Sequence, residues 1–303
     1  MIREILMLGQ KMYNTKNWRE RHRLLTYRVR VLLYAGKLGA LYRFFADNPA
    51  RKAILETNPF PIEQATRAFF FAGSSCAVRA KLIREHVMLL EKKFPQNEVT
   101  KLVRFDRRYE IWRSKDEGSV WKAILTFEPG QRKEGMLSVM MLLGDEALYQ
   151  IIFWLGYDAA GEESLFIGAM QGPNMAHARE IVKEATKRAH RYRTKNLILY
   201  MTQAVARALA LKHIYAVSNE GYYANNHVRR DRKLKTDFGV FWEEAGGHVT
   251  KDARFYELPL TESRKTMEEV PTRKRAVYRR RFAFLDDVDA QIAENMGKIL
   301  RLR

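Results

Sequence analysis

The sequence predicts an α+β protein, a helical N-terminal region followed by a mixed sheet flanked by helices. Three observations predict it. Residues 1–95 space their apolar side chains as helices do, with punctuation at Asn48-Pro49, Asn58-Pro59 and Pro61. Residues 120–171 hold four apolar, β-rich runs divided by turn residues. Residues 176–302 alternate helical runs with short strands.

The N-terminal elements come first. Leu24–Ala46 is apolar enough to suggest a membrane span, but Arg28, Arg30, Lys37 and Arg43 lie within it on more than one face. It reads instead as two short helices divided near Gly36–Gly39, packed on the core with snorkelling arginines. A basic, aromatic-rich helix lying on a membrane surface is the alternative. Met1–Leu8 is interrupted by Gln10, Lys11, Asn14 and Lys16 and does not continue as a secretory signal. Pro61 suits a helix start, and Ala80–Phe94 is a regular helix stopping before Pro95.

The runs Val120–Phe127, Met136–Leu143, Ala147–Tyr157 and Ser164–Gln171 then predict an antiparallel meander. Several lack polar alternation, which predicts a sheet covered on both faces. Helices follow at Ala176–His190 and Leu197–Leu211, a strand at His213–Ser218, a helix at Phe238–Ala245 and a last strand at Arg254–Pro259. Two terminal helices are expected, one beginning near Pro271 and one over Leu285–Leu302. The chain divides into a basic helical region, 1–95, and an α+β domain, 96–303, with basic C-terminal helices.

Composition narrows the function. At 47% hydrophobic and 12% aromatic, the 303 residues exclude a disordered chain. Cys76 stands alone, which excludes a disulfide framework and a cysteine zinc site and fits a reducing compartment. The net charge of +19 calls for an anionic partner. It divides as +11 over 1–95, −3 over 96–172 and +11 over 173–303, so the surplus sits at the helical ends. No GxSxG, Walker, HExxH or GxGxxG motif is present, the seven histidines lack metal spacing, and no metal is expected.

A set of strings carries a resemblance: Phe166-Ile-Gly-Ala-Met-Gln-Gly172, Arg193-Thr-Lys-Asn-Leu197, Ala216-Val-Ser-Asn219, Phe241-Trp-Glu-Glu-Ala-Gly-Gly247, Phe255-Tyr-Glu-Leu-Pro259 and Lys274-Arg-Ala-Val-Tyr-Arg-Arg-Arg281. Together with His86-Val-Met-Leu-Leu-Glu91 they make the chain resemble the VirK/YbjX family of Gram-negative bacterial proteins. That resemblance implies a link to virulence, outer-surface properties and resistance to cationic antimicrobial peptides, and carries no residue-level activity. One departure is Thr194, where the family leads one to expect proline. Threonine is expected to cap the helix there instead. The meander–helix–strand–helix–strand order is also similar to that of GNAT acyltransferases, an analogy of layout alone.

The leading expectation is an acyltransferase on a lipid or envelope precursor such as lipid A. In the GNAT-like layout Arg193, Thr194, Lys195 and Asn196 open the helix whose N-terminus would hold the phosphates of acyl-CoA or of acyl carrier protein phosphopantetheine. The glycine-rich turn of such sites is missing. Ser218, Asn219 and Tyr223 follow the C-terminal end of a strand, where ligands gather. With His227 they are the candidate catalytic groups, Tyr223 as general acid. Arg229 and Arg230 nearby, and Lys274, Tyr278 and Arg281 on one helix face, are candidate anion ligands. His86 and Glu91 resemble the His-x4-acid pair of lipid acyltransferases. They lie about 140° apart on a helix and read as a helix histidine and a solvated glutamate. Trp242-Glu243-Glu244 with Asp237 reads as a solvated face, and Cys76 as a packed side chain. The alternative is a non-enzymatic, cytoplasmic protein held peripherally on anionic lipid at the inner membrane. A nucleic-acid binder ranks last because no such motif accompanies the charge.

Overall fold

The computed structural model describes residues 1–103, 108–115, 118–127, 129–225 and 237–301. The helical region holds α1 (Ile2–Met12), α2 (Trp18–Leu33), α3 (Ala35–Ala46), α4 (Pro49–Thr57), α5 (Phe60–Thr66), α6 (Cys76–Lys93) and α7 (Gln96–Val103). Local chemistry sets their starts: the side chains of Asn17, Asn48 and Ser75 accept N–H bonds from the first turns of α2, α4 and α6. The chain turns between α2 and α3 at Tyr34, not at the expected glycines, and Gly36 and Gly39 lie inside α3. Burial of Leu38, Leu41 and Phe45 at 0% exposure outweighs the roughly 1 kcal/mol that each helical glycine costs.

The remaining chain forms β1 (Tyr109–Arg113), β2 (Trp121–Thr126), β3 (Leu137–Leu143), β4 (Glu146–Tyr157), β5 (Glu163–Gln171), α8 (Ala178–Arg188), α9 (Thr194–Ala208), β6 (His213–Val217), α10 (Phe238–Glu244), β7 (His248–Val249), β8 (Phe255–Leu258) and α11 (Thr272–Gly297). The strands make one sheet in the order β1-β2-β3-β4-β5-β6-β8-β7. Every pairing is antiparallel except β5 with β6, which the α8–α9 crossover joins in parallel. This is the α+β architecture and the meander that the sequence predicts. The short edge strands β1 and β7 and the helix α7 carry too little apolar pattern to announce themselves. The two expected C-terminal helices are one, because Leu285, Val288, Ile292 and Met296 extend a single buried stripe with no glycine or proline to break it.

Both faces of the sheet are covered. Tyr149 on β4 faces α9, whereas on the other face Gln150 bonds Gln131 of the loop between β2 and β3 and Trp154 packs edge-on against Phe70 of the helical region. One apolar cluster runs from Ile5 through the sheet to Met296, so the helical region and the sheet share a core.

Two buried polar groups join them. Beyond Phe153 the edge of β4 no longer pairs with β3, and the Leu155 N–H instead donates to His86 Nδ1 at 3.0 Å. His86 is therefore neither a base nor exposed: burial holds it neutral, with its pKa pushed down to about 3. Glu91 is not the solvated residue expected either, since it receives both Arg51 Nε and Arg51 Nη2, at 2.8 and 2.6 Å.

The second group is Glu63, fully buried on α5. It accepts from Tyr13 Oη at 2.7 Å and Arg132 Nε at 2.6 Å, with Arg67 Nη1 at 3.3 Å. Burial pushes its pKa up, but the bond and charge of Arg132, the Tyr13 hydroxyl and Arg67 outweigh it, and the carboxyl sits below its ordinary range. Gln64 next to it donates from Nε2 to the carbonyls of Arg132 and Gly135, at 2.7 and 3.1 Å. Helix α5 thus holds both the charge and the backbone of the 129–136 loop.

Arg132→Met is expected to cost about 3–5 kcal/mol at pH 7, because it strands a buried carboxylate. In denaturant titrations the deficit should shrink as pH falls through the depressed Glu63 pKa, where wild type loses the ionised partner too. His86→Gln should flatten the pH dependence of stability. Between the unfolded histidine value near 6.5 and about 3, the unfolded state alone takes up that proton, at about 1.4 kcal/mol per pH unit.

Candidate functional site

The 129–136 loop delivers Glu134 to the middle of the sheet. On β5 one extra residue, Gly168, stands between the pairs Ile152↔Ala169 and Phe153↔Ile167, forming a bulge. A Cβ at Gly168 would lie 1.8 Å from the Glu134 carbonyl oxygen, so only glycine admits the loop there. On the other side, a Cβ at Gly135 would lie 2.6 Å from the Phe153 carbonyl oxygen.

Glu134 is 6% exposed and, among the described residues, has no cation within hydrogen-bonding contact. Its Oε1 accepts from Tyr222 Oη at 2.9 Å and its Oε2 from Gln171 Nε2 at 2.8 Å. Burial pushes its pKa up, and the two hydrogen bonds and the charge of Lys133 offset this only in part. Tyr222 is pushed strongly up by burial and by the neighbouring carboxylate, and Tyr223 bonds it in turn. A buried acid with a raised pKa, bonded to a phenol, is a pair suited to proton transfer.

The pair sits where the sheet splays. The parallel β5–β6 pairing runs only from Ser164↔His213 to Ile167↔Ala216, after which the strands part. The helical region fills part of the gap. Phe71 bridges to Tyr222 and stacks on Trp154, and the Ala72 N–H donates to the Gly221 carbonyl at 2.8 Å. Phe70 is fully buried at φ 68°, left-handed backbone that a bulky residue adopts only under constraint. Its N–H donates to the Lys133 carbonyl at 2.8 Å, tying the plug to the Glu134 loop.

The structure distributes the residues chosen from sequence. Tyr223 lies beside Tyr222 at 4.9 Å between ring centroids and edge-on to Phe69. Ser218 shapes the turn: its hydroxyl donates to the Ala253 carbonyl at 2.8 Å and accepts from the Gly221 N–H at 3.0 Å. Asn219 donates to Asp237 Oδ1 at 2.7 Å and accepts from the Phe238 N–H at 2.8 Å, setting the start of α10. His227, Arg229 and Arg230 lie outside the described residues. Glu134, Tyr222 and Gln171 escaped the sequence reading. Glu134 sits in a polar loop, and its partners are 37 and 88 residues away.

At the start of α9, Arg193 and Lys195 both reach Glu244 Oε2, at 3.4 and 3.2 Å, and Lys195 lies 4.6 Å from the Phe241 ring centroid. A phosphate there would compete with Glu244, which is exposed on the helix face as expected and also pairs with both cations. Thr194 is not the expected cap. It is buried in the first turn and bonds Tyr149, and Arg193 occupies the N-cap position without a side-chain cap bond. The Oδ1 of Asn196 is buried and has no hydrogen-bond partner among the described residues. On α11, Lys274 is exposed, whereas Arg281 donates to the carbonyls of His190 and Arg191 at 3.2 and 3.1 Å. Arg281 also covers the Tyr278 ring at 4.5 Å. It clamps a turn in which both His190 and Arg191 have positive φ. Cys76 is buried, as expected. Among the described residues no group of three His, Cys, Asp or Glu is placed to hold a metal, and no helix is long and apolar enough to cross a membrane.

A second surface stands out. Helix α2 buries Leu24, Tyr27 and Val31 on one side. On the other it exposes Trp18, Leu25, Val29, Leu32 and Leu33, from 48% at Val29 to 76% at Trp18. At about 100° per residue these five fall on one stripe, with Arg21 and Arg28 along one border and Arg19 along the other.

A family model described as protein of unknown function (DUF535) matches residues 16–294. The uncharacterized protein YbjX of Escherichia coli is 33% identical over 172 residues, 56% of this chain and 52% of that protein. An uncharacterized protein of Haemophilus influenzae is 28% identical over 148 residues, 49% of each chain. The membrane protein LapB of Mannheimia haemolytica is 21% identical over 214 residues, 69% of this chain and 85% of that one. The alignments with the first two span about half the length of those relatives. No solved structure matches.

Glu134→Gln is expected to leave the thermal midpoint at pH 7 unchanged or raised, since the amide removes the cost of a buried ionisable group. Tyr222→Phe, which leaves the carboxylate short of a donor, should cost about 1–3 kcal/mol. Equilibrium unfolding of the two variants checks both.

Proposed function

The chain belongs to the DUF535 family, and from that premise we propose that it works at the surface of an anionic membrane, held there peripherally by α2. The observation that carries this reading is the arginine-bordered apolar stripe of α2. Five large apolar side chains in water on one helix are costly unless something covers them. The arginines at the stripe's borders match the headgroup level of an anionic leaflet when the helix lies flat. The net charge of +19 draws the whole molecule toward such a surface. The resemblance of the chain to a protein named as a membrane protein is in keeping with it.

A second reading, favoured by the Glu134–Tyr222 pair at the splayed strands, adds catalysis: acyl transfer to a lipid or envelope precursor. Glu134 would accept the proton of the attacking hydroxyl or amine as that atom bonds the acyl carbon, and would return it to the thiolate released when the C–S bond breaks, with Tyr222 donating a hydrogen bond to the carboxylate. The acyl donor, acyl-CoA or acyl carrier protein, would need to displace Glu244 from Arg193 and Lys195 and share the splay with Phe71. The link to surface properties, virulence and antimicrobial-peptide resistance would follow from modification of lipid A or a related envelope component.

Flotation with vesicles tests the first reading. Wild type should float with phosphatidylglycerol vesicles and not with phosphatidylcholine, and less so at high salt. Leu25→Glu with Leu32→Glu should abolish flotation without lowering the thermal midpoint, because both side chains are exposed. Unchanged flotation of that variant would overturn the reading. For the second, lipid A mass spectra from cells carrying wild type should differ in acyl content from those carrying Glu134→Gln. Identical spectra would remove it.

A further inference from the structure

Two stretches of the chain hold no acid at all. Residues 24–46, which make the C-terminal part of α2 and all of α3, carry four cations, and residues 64–84, which lead into α6, carry four more. The fold brings the two stretches together by packing α3 on α6.

Arg79, in the first turn of α6, is 5% exposed. Its Nε donates to the Ala65 carbonyl at 3.1 Å, and its Nη1 to the Ser74 carbonyl and, at 3.2 Å, to the Ser74 hydroxyl. These acceptors are neutral, and no carboxylate pairs with Arg79 among the described residues. A buried charge with no opposite charge beside it is costly.

Two more cations join it. Arg30, half-buried on α2, and Lys37, exposed on α3, stand on either side of the turn at Tyr34. Neither side chain has a hydrogen bond or an ion pair among the described residues. Burial, and then the charge of Arg67, hold Arg30 below its ordinary value, and burial chiefly, with a smaller push from Arg30, does the same to Arg79. Burial pushes the Cys76 thiol up, while the charges of Arg79 and Lys37 pull it down. The three cations thus act on one spot, at the start of α6. Glu63, the carboxylate that reaches Arg30, is already bonded to Arg132 and Arg67.

The apolar stripe of α2 ends at the same spot. Leu33 is 71% exposed and lies three residues from Arg30, so the two are neighbours on the helix surface. An apolar stripe that ends in unpaired cations matches a molecule with an apolar tail and an anionic head.

We infer that Arg30, Lys37 and Arg79 hold the phosphate monoester head of an anionic lipid whose tail lies along the α2 stripe. The assignment rests on the membrane reading of α2 and adds to it a choice of headgroup. A phosphate monoester carries more negative charge at neutral pH than the diester of phosphatidylglycerol, so clustered cations favour it.

Flotation with phosphatidylcholine vesicles containing either phosphatidic acid or phosphatidylglycerol, matched in surface potential, tests it. Wild type should bind the phosphatidic acid vesicles at least about fivefold more tightly. Arg30→Gln with Lys37→Glu should lower that binding to the phosphatidylglycerol level. Arg43→Glu with Lys52→Gln makes the same charge change at other exposed positions and should keep the preference. Wild type that floats with phosphatidylglycerol but shows no preference for phosphatidic acid would overturn the headgroup site and leave α2 docking standing. Wild type that floats with neither would overturn both. Equal loss of preference in the two paired variants would mean diffuse attraction and overturn the site. Inorganic phosphate is the other source of the same chemistry, and calorimetry showing it to bind as tightly as the phosphatidic acid vesicles would overturn the lipid assignment.

Discussion

The contact between Glu63 and Arg132 joins the two halves of the molecule at a charge that has nowhere else to go. A carboxylate fully buried under α5 is tolerable only with a cation and donors around it, and Arg132 and Tyr13 supply them from distant parts of the chain. Gln64 adds two bonds to the same loop's backbone. With the loop held in this way, Glu134 has one place to go, over the glycine bulge of β5 and under Tyr222. The chemistry of the candidate site therefore depends on a buried ion pair one helical layer away.

The same joint explains why the helical region is more than a cover. Its Phe69–Ala72 segment enters the splay between β5 and β6, pairs with Gly221 and Tyr222, and lays Phe71 on Trp154. The strained backbone of Phe70 is held by the Lys133 carbonyl, part of the loop that Arg132 secures. The opening left by the parallel pair is thus partly occupied by the protein itself. Any ligand at the Glu134–Tyr222 pair shares that space, so the helical region takes part in deciding what enters.

Charge is arranged differently from what the totals suggest. Several of the cations most conspicuous in the sequence are committed internally: Arg281 to the turn before α9, Arg193 and Lys195 to Glu244, Arg51 to Glu91. Arg19, Arg21 and Arg28, which border the α2 stripe, stay exposed at the surface. A run of basic residues is visible in any sequence, but which of them are already engaged depends on carbonyls and carboxylates far along the chain.

The sequence by itself determined the α+β order, the meander, the crossover helices and the basic ends. Each of these follows from periodicity, turn residues and composition, which act over a few residues. It singled out Tyr223 from Ser218–Tyr223, whereas the hydrogen bond to Glu134 is made by Tyr222, because either tyrosine fits a polar turn and only the position of Glu134 separates them. Only the tertiary structure decided that α2 turns an apolar stripe outward, since one apolar helix pattern serves a core face or an interface equally well. It alone decided that Glu134 and His86 are buried and that Glu63 is ionised. A titratable group takes its character from the dielectric and partners around it, and those partners arrive from across the fold.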